Sequence, residues 1–360
     1  GYYNIGSNDD NRVEDRRVRG KLQEFGYWII STAWNLQEPY GPGHDEWTIK
    51  NSADLQDKIA KLKESGSDKS SLVEVNQEIE QIKIKIDKKL IEIYKKLTPW
   101  HKLQVARHPK RPHFLDYVKV LTPDFEPLSG DRLFREDPSL ICGLGTFKER
   151  NVMIMGHEKG NNTESRIQHN FGMTKPEGYR KAMRLMKLAE KFSLPLITLI
   201  DTSGAYPGVG AEQRGQSEAI AKCIEVSLSL KIPTLSVIIG EGGSGGAIAI
   251  ATTNKVLMLE HAVYSVISPE GCASILWKDT KYAKEAASAM KITAQDLKKL
   301  DIIDEIIPEP TGGAHRNSAK TIQNVSVVIK RNLDQILNLD SRTLINSRRN
   351  KFLMNTNKSL

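Results

Sequence analysis

The chain has 360 residues, 39% hydrophobic and 27% charged, enough apolar material for one large domain or two smaller ones, and its balance excludes a disordered chain. A formal net charge of +8 suits nucleic acid, a membrane surface or anionic metabolites, but the basic residues are dispersed among acids without a recognisable nucleic-acid motif, so a soluble protein handling anionic substrates is the better reading. No run of about 18 apolar residues occurs, which argues against a membrane span, and residues 27–33, the best apolar run near the start, are too short and wrongly flanked for a signal peptide.

Residues 1–52 stand apart. They open on Gly1, which reads as a processed, tagged or incomplete start, and hold Trp28, Trp34 and Trp47 with the turn-rich Pro39, Tyr40, Gly41, Pro42 and Gly43. No sustained period runs through them, and they are taken as an extension of open role. Residues 53–97 are predicted to form a helical hairpin. Leu55, Ile59 and Leu62 make a first stripe, Gly66 breaks it, and Leu72, Val75, Ile79, Ile82, Ile86, Leu90, Ile93 and Leu97 then recur at the three- and four-residue steps of an amphipathic helix, with Pro99 just past its end. Packing on its own domain and binding a partner account for that stripe equally well.

From about residue 110 to 310 the pattern changes. Continuous apolar runs at 152–155, 196–200, 234–239, 256–259 and 302–307 alternate with helical stretches at 176–192 and 216–230. Apolar runs joined through helices predict buried parallel strands, hence an α/β fold class. Residues 318–360 read as a polar tail, helical at best. The three scattered cysteines, Cys142, Cys223 and Cys272, fit a reducing compartment and small buried positions. No C-x-x-C or H-E-x-x-H occurs, so no zinc site is expected in this chain.

Three glycine-rich segments follow predicted strands: 156–160, 201–210 and 240–247. Glycine lets a backbone approach a ligand closely, and a following helix N-terminus offers N–H groups and a positive dipole end, so the second and third segments, each with a helix behind it, read as two backbone-lined anion or oxyanion sites; tight strand-to-helix turns are the alternative. Three known patterns touch them. Gly240, Gly242 and Gly245 fit the dinucleotide fingerprint, with Glu260 as the nearest ribose acid, although two strands come earlier. Gly242, Ser244 and Gly246 fit the nucleophile elbow, with Asp301, Glu305 and His315 following in hydrolase order. Residues 210–217 approach a P-loop but place Gln216 where the lysine belongs.

These segments and their surroundings resemble the carboxyltransferase alpha subunit of multi-subunit acetyl-CoA carboxylase, over about residues 98–317. The landmarks are Arg107-His108-Pro109-Lys110-Arg111-Pro112, Gly130-Asp131-Arg132, Gly156-His157-Glu158-Lys159-Gly160, Asn170-Phe171-Gly172-Met173 and Pro176-Glu177-Gly178-Tyr179-Arg180-Lys181. Further on stand Gly204 to Glu212, the 240–247 segment, Ser268-Pro269-Glu270-Gly271-Cys272-Ala273, and Pro308 to Asn317. Residues 1–52 match nothing in the family, and Ser203 stands where the family usually has proline.

The resemblance implies a crotonase-like fold of repeated β-β-α units and an alpha2-beta2 heterotetramer whose beta subunit carries a zinc ribbon and most of the CoA site. It implies that biotin is not attached to this chain but arrives as carboxybiotin on a biotin carboxyl carrier protein, loaded by a separate ATP-dependent biotin carboxylase. The carboxyl group would pass to acetyl-CoA to give malonyl-CoA, the first committed step of fatty acid synthesis, in cytoplasm or plastid stroma. By the same resemblance Gly245 and Gly246 supply the N–H groups of an oxyanion site. Gly204, Gly208, Val209, Gly210 and Gly243 line the cavity, and Lys159 is a candidate contact to CoA or carboxylate, against a plain salt bridge. Ser244 and Glu270 are expected in structural roles, His157 and His315 as hydrogen-bonded loop residues.

Overall fold

The structure, a computed structural model, describes residues 69–357; residues 1–52 and the first arm of the expected hairpin lie outside the described residues. Two units divide the chain, Gly1–Lys89 and Leu90–Leu360. Helix α1 (Lys69–Tyr94) carries the second predicted stripe, with Ile82, Ile86 and Leu90 buried at four-residue steps. Ile93, assigned to that stripe, is 39% exposed. A further four-residue step from Leu90 reaches Tyr94 instead, whose hydroxyl donates to the Gly312 carbonyl at 2.7 Å.

The second unit is an α/β fold around one eight-stranded sheet. Its strands are β1 (Glu126–Pro127), β2 (Leu140–Phe147), β3 (Arg150–His157), β4 (Leu196–Thr202), β5 (Thr234–Gly243), β6 (Lys255–Leu259), β7 (Val263–Ser265) and β8 (Glu305–Ile307). The order is β1-β2-β3-β4-β5-β6-β8; β7 pairs with the far end of β5. The first three strands run antiparallel and all later pairings are parallel. Strands β4 and β5 are buried at every residue: their central apolar runs fit a strand covered on both faces, and the polar Asp201 and Glu241 toward their ends are buried with them. The run predicted at 302–307 is strand only from Glu305, because Asp301 adopts a left-handed φ and Ile302 and Ile303 close the preceding helical turn.

Helices α5 (Pro176–Lys191) and α7 (Gln216–Ser229) pack against each other, and α5 also covers β2 and β3. Short helices α2 (Pro99–Ala106), α3 (Phe114–Leu121), α4 (Thr163–Gln168) and α6 (Val209–Gln213) lie between, and α8 (Ser244–Ala251) follows β5 directly. Helix α9 (Pro269–Leu276) begins at the landmark motif Ser268-Pro269-Glu270-Gly271: Ser268 Oγ accepts the Gly271 N–H and Pro269 takes the first helical position. Helices α10 (Ala283–Ala289) and α11 (Ala294–Lys299) precede β8.

Residues expected as a polar tail form α12 (Ser318–Ile336) and α13 (Ser341–Asn357). Ile322, Val325, Ile329, Leu333 and Leu344 belong to the main core. Arg348 on α13 is fully buried: its guanidinium donates to the carbonyls of Ser227, Leu230 and Ile232 and to Asn254 Oδ1, at 2.7 to 3.0 Å. Among the described residues no helix is long and apolar enough to cross a membrane.

Candidate active site

The site grows from the ends of β4 and β5. The 240–247 segment is not a loop: Gly240 to Gly243 continue β5, and Ser244 opens α8 without a connecting residue. Gly243 caps the helix without a side chain, so the N–H groups of the first turn, Ser244, Gly245 and Gly246, receive no side-chain cap. The dipole of α8 adds positive potential at the same point.

The 201–210 segment meets this junction backbone to backbone. A Cβ on Gly243 would lie 2.1 Å from the Ser203 carbonyl oxygen, and one on Gly246 would lie 2.6 Å from the Gly204 carbonyl carbon. Gly204 has φ +150 and is held by its neighbour, since Thr202 Oγ1 donates to the Gly204 carbonyl and accepts the Gly204 N–H. Gly243 and Gly246 are thus demanded by packing. Gly245 is not: a Cβ there would find only Ile220, at 3.5 Å, an ordinary contact.

The structure therefore brings Gly204, Gly243, Gly245 and Gly246 together. Gly208, Val209 and Gly210 stand in the continuation of the 201–210 segment, where Gly208 caps the five-residue α6, packs on the Tyr206 ring, and Val209 is 70% exposed. Gln216, the residue that spoils the P-loop match, donates its amide to the carbonyls of Thr174 and Tyr206 and so braces this segment.

Lys159 lies apart from them, in a buried ion cluster below the junction. Its Nζ is 2.6 Å from Asp201 Oδ1 and 3.9 Å from Glu241 Oε2. Arg107 holds Glu241 at 2.7 Å and Glu270 at 2.6 Å. Burial pushes the Asp201 carboxyl up, but the Lys159 ammonium, His113 and the Glu241 N–H together outweigh it and leave the group below the usual carboxylate range. Lys159 is paired inside the chain, as the salt-bridge alternative expects, and its side chain is largely buried. Glu270 has the structural partner expected of it. A second pair ties two landmark motifs: Arg111 grips Glu309 with two hydrogen bonds, 2.9 and 2.5 Å, and donates to the Ile239 carbonyl. Sequence reading missed Asp201, Glu241, Arg107 and Arg111 as partners; charged residues at fixed places within the landmark motifs were the available signal.

The competing motifs fail on geometry. Ser244 is exposed with φ +52, as a nucleophile elbow would be, but among the described residues no hydrogen bond joins it to a histidine. His315 stacks on His108 at 3.8 Å, and Glu305 turns to Asn332 at 2.8 Å. Glu260, the candidate ribose acid, accepts the Glu309 N–H. His157, expected in a loop, ends β3 fully buried; desolvation pulls its pKa to about 3, so it is neutral at pH 7. Burial likewise lowers His108 to about 4 and His315 to about 3. Burial raises Cys142 to about 12, which leaves it a protonated, inert thiol. No cluster of His, Cys, Asp or Glu among the described residues could hold a metal ion.

The family described as "Acetyl co-enzyme A carboxylase carboxyltransferase-like" matches residues 48–356. The chain is 57% identical over 306 residues to the acetyl-coenzyme A carboxylase carboxyl transferase subunit alpha of Paramagnetospirillum magneticum, covering 84% of this chain and 95% of that protein. Its counterpart in Rhodospirillum centenum is 55% identical over the same shares. Among solved structures, a Pseudomonas malonate decarboxylase hetero-tetramer in complex with coenzyme A superposes with a TM-score of 0.53 at 14% identity, over 68% of this chain and 95% of that one. The beta subunit of P. aeruginosa geranyl-CoA carboxylase gives 0.50 at 17% identity, over 66% of this chain but only 45% of that one. At such identities the likeness concerns the fold, which is crotonase-like. With the family matched over most of its length and relatives more than half identical, the chain belongs to the acetyl-CoA carboxylase carboxyltransferase family, as an alpha subunit.

Proposed function

We propose that the junction of β4, β5 and α8 is this subunit's share of a carboxyltransferase centre, where the carboxyl group of carboxybiotin passes to acetyl-CoA to give malonyl-CoA. The observation that carries this reading is the contrast among the glycines. Gly243 and Gly246 are explained by contact within the chain, whereas Gly245, half-buried in an uncapped first helical turn, is not. A ligand at the helix N-terminus gives that glycine its reason.

Carboxybiotin, arriving on its carrier protein, supplies the carboxyl group and leaves negative charge on its ureido oxygen. The Gly245 and Gly246 N–H groups are assigned to that oxygen. Preorganised donors in a buried backbone cost no reorganisation when the charge develops, and each is worth about 3–4 kcal/mol of barrier. The freed biotin anion can take the methyl proton of acetyl-CoA, so a protein acid or base is not required. Gly204 and Gly243 form the floor, and Gly208, Val209 and Gly210 are assigned to the wall toward the substrate. Residues 98–317 are taken as the carboxyltransferase domain. A zinc-ribbon beta subunit completes the CoA site in an alpha2-beta2 assembly, and a separate biotin carboxylase loads the carrier.

The test is reverse transfer from malonyl-CoA to free biotin, with the chain alone and mixed with a zinc-ribbon beta partner. Activity only in the mixture supports the divided site. Activity of the chain alone points to a complete crotonase-like enzyme, and an intact complex without activity sinks the proposal.

A further inference from the structure

The ion cluster below the junction coincides with an irregularity in the sheet. Strands β4 and β5 pair in register as far as Ile200 opposite Ile238, and the next pair is Thr202 opposite Gly242. Asp201 alone therefore faces the stretch 239–241, and β5 carries a bulge there. The Asp201 carboxylate fills it. Its Oδ1 accepts the Glu241 N–H at 2.9 Å and the Lys159 ammonium at 2.6 Å. It also lies against Gly240, where a Cβ would come within 2.4 Å of Oδ1. The lysine is confined in turn: Gly172, at φ +77, packs on its stem, with room for no side chain between Lys159 Cγ and the Asp201 carbonyl oxygen.

We propose that Asp201, gripped by Lys159, is a positioning residue for carboxyl transfer: its carboxylate sets how far the end of β5, and with it the first turn of α8, advances past the backbone of residues 203–205. The covalent path is short on both sides. Gly243 lies two residues beyond Glu241, and Ser203 two beyond Asp201, and these are the atoms that meet. The Glu241 carboxylate is itself held by Arg107, which also holds Glu270, so the residue whose N–H Asp201 accepts is anchored by its side chain as well. A buried network of two cations and three carboxylates contributes little net stability once desolvation is counted, but it tolerates few alternative arrangements. Lys159 thereby acts on the reaction through Asp201 and not through substrate. The inference rests on the carboxyl-transfer reading for its kinetic signal.

The test uses the full chain assembled with a zinc-ribbon beta partner and follows steady-state transfer together with hydrogen–deuterium exchange of the peptide amides over residues 241–246. Lys159→Met is expected to lower kcat on the order of tenfold or more with KM for malonyl-CoA unchanged, and to speed exchange over 241–246. Asp201→Asn keeps an acceptor for the Glu241 N–H, so the Lys159→Met/Asp201→Asn double variant is expected to recover both signals toward wild type. Asp201→Asn alone is expected to lower kcat in the same direction and covers the case in which Lys159→Met does not assemble. A raised KM with unchanged kcat overturns the assignment and makes Lys159 a substrate contact. So does a lower melting temperature with kcat and exchange untouched, which reduces the network to support. If the wild-type mixture transfers nothing, the carboxyl-transfer reading falls by itself, and exchange over 241–246 still decides the positioning role.

Discussion

Two regions of this molecule are held together by opposite means. At the junction of β4, β5 and α8, side chains are removed so that backbones can touch: Ser203 and Gly204 lie directly on Gly243 and Gly246. At the C-terminal helix pair one long side chain does the joining, with Arg348 inserted among the carbonyls of Ser227, Leu230 and Ile232. The first arrangement leaves N–H donors available at a helix start. The second consumes polar groups that would otherwise be buried and unpaired. On the proposed reading, a centre that meets charge during reaction needs the former; a seam that only has to hold needs the latter.

Gly246→Val should break the first region most severely. Its side chain would occupy the Gly204 backbone, and transfer in the assembled complex is expected to fall at least about a thousandfold. Thermal melting and gel filtration on the same sample tell loss of the centre from loss of the fold. Arg348→Ala attacks the second region and should cost about 3–4 kcal/mol of stability in urea unfolding, because it strands several buried acceptors, while kcat of the folded complex stays at the wild-type value. An unchanged urea midpoint would show that the arginine is ornamental.

His157, buried at the edge of the first region, sharpens the contrast through pH. Its folded pKa, about 3, lies below the ordinary histidine value of 6.5. The unfolded chain therefore binds a proton that the native one refuses as pH falls below about 6.5, and stability declines from there toward the folded value. This histidine alone should remove about 2 kcal/mol between pH 7 and 5; His157→Gln is expected to flatten that part of the curve, and an equally steep curve would contradict the assignment. Gly245→Ala should leave stability unchanged or slightly raised, since its methyl meets only Ile220, yet slow transfer about tenfold by intruding on the site. Ser244→Ala closes the series: its hydroxyl takes no part in the scheme, and activity should stay within about twofold. Inactivity there would revive the serine-hydrolase reading.

The parts of this architecture legible in the sequence were those with a short period or a special residue. Continuous apolar runs foretold β3, β4, β5 and β6, and glycine clusters foretold where the backbone closes on itself. That the 240–247 segment is strand and helix rather than loop was not legible, because its glycines serve packing and reach the 203–205 backbone only after folding. Ile93 and Tyr94 show the limit of counting steps: the stripe drifts by one residue, and a polar tip ends it. The ion cluster was hidden for a further reason. Arg107, Lys159, Asp201, Glu241 and Glu270 are far apart in the chain, and charge alone does not say which lysine or arginine will be buried. Arg348 was the deepest miss, since a polar helical segment gives no sign that one of its arginines points inward.

That arginine also fixes an order of events during biosynthesis. The Ile232 carbonyl it satisfies lies 116 residues earlier in the chain. Until residue 348 has left the ribosome, the end of α7 and the approach to β5 must keep those carbonyls wet. This seam is therefore closed only after the strands β5 and β6 beside it have already been made, late in the synthesis of the domain.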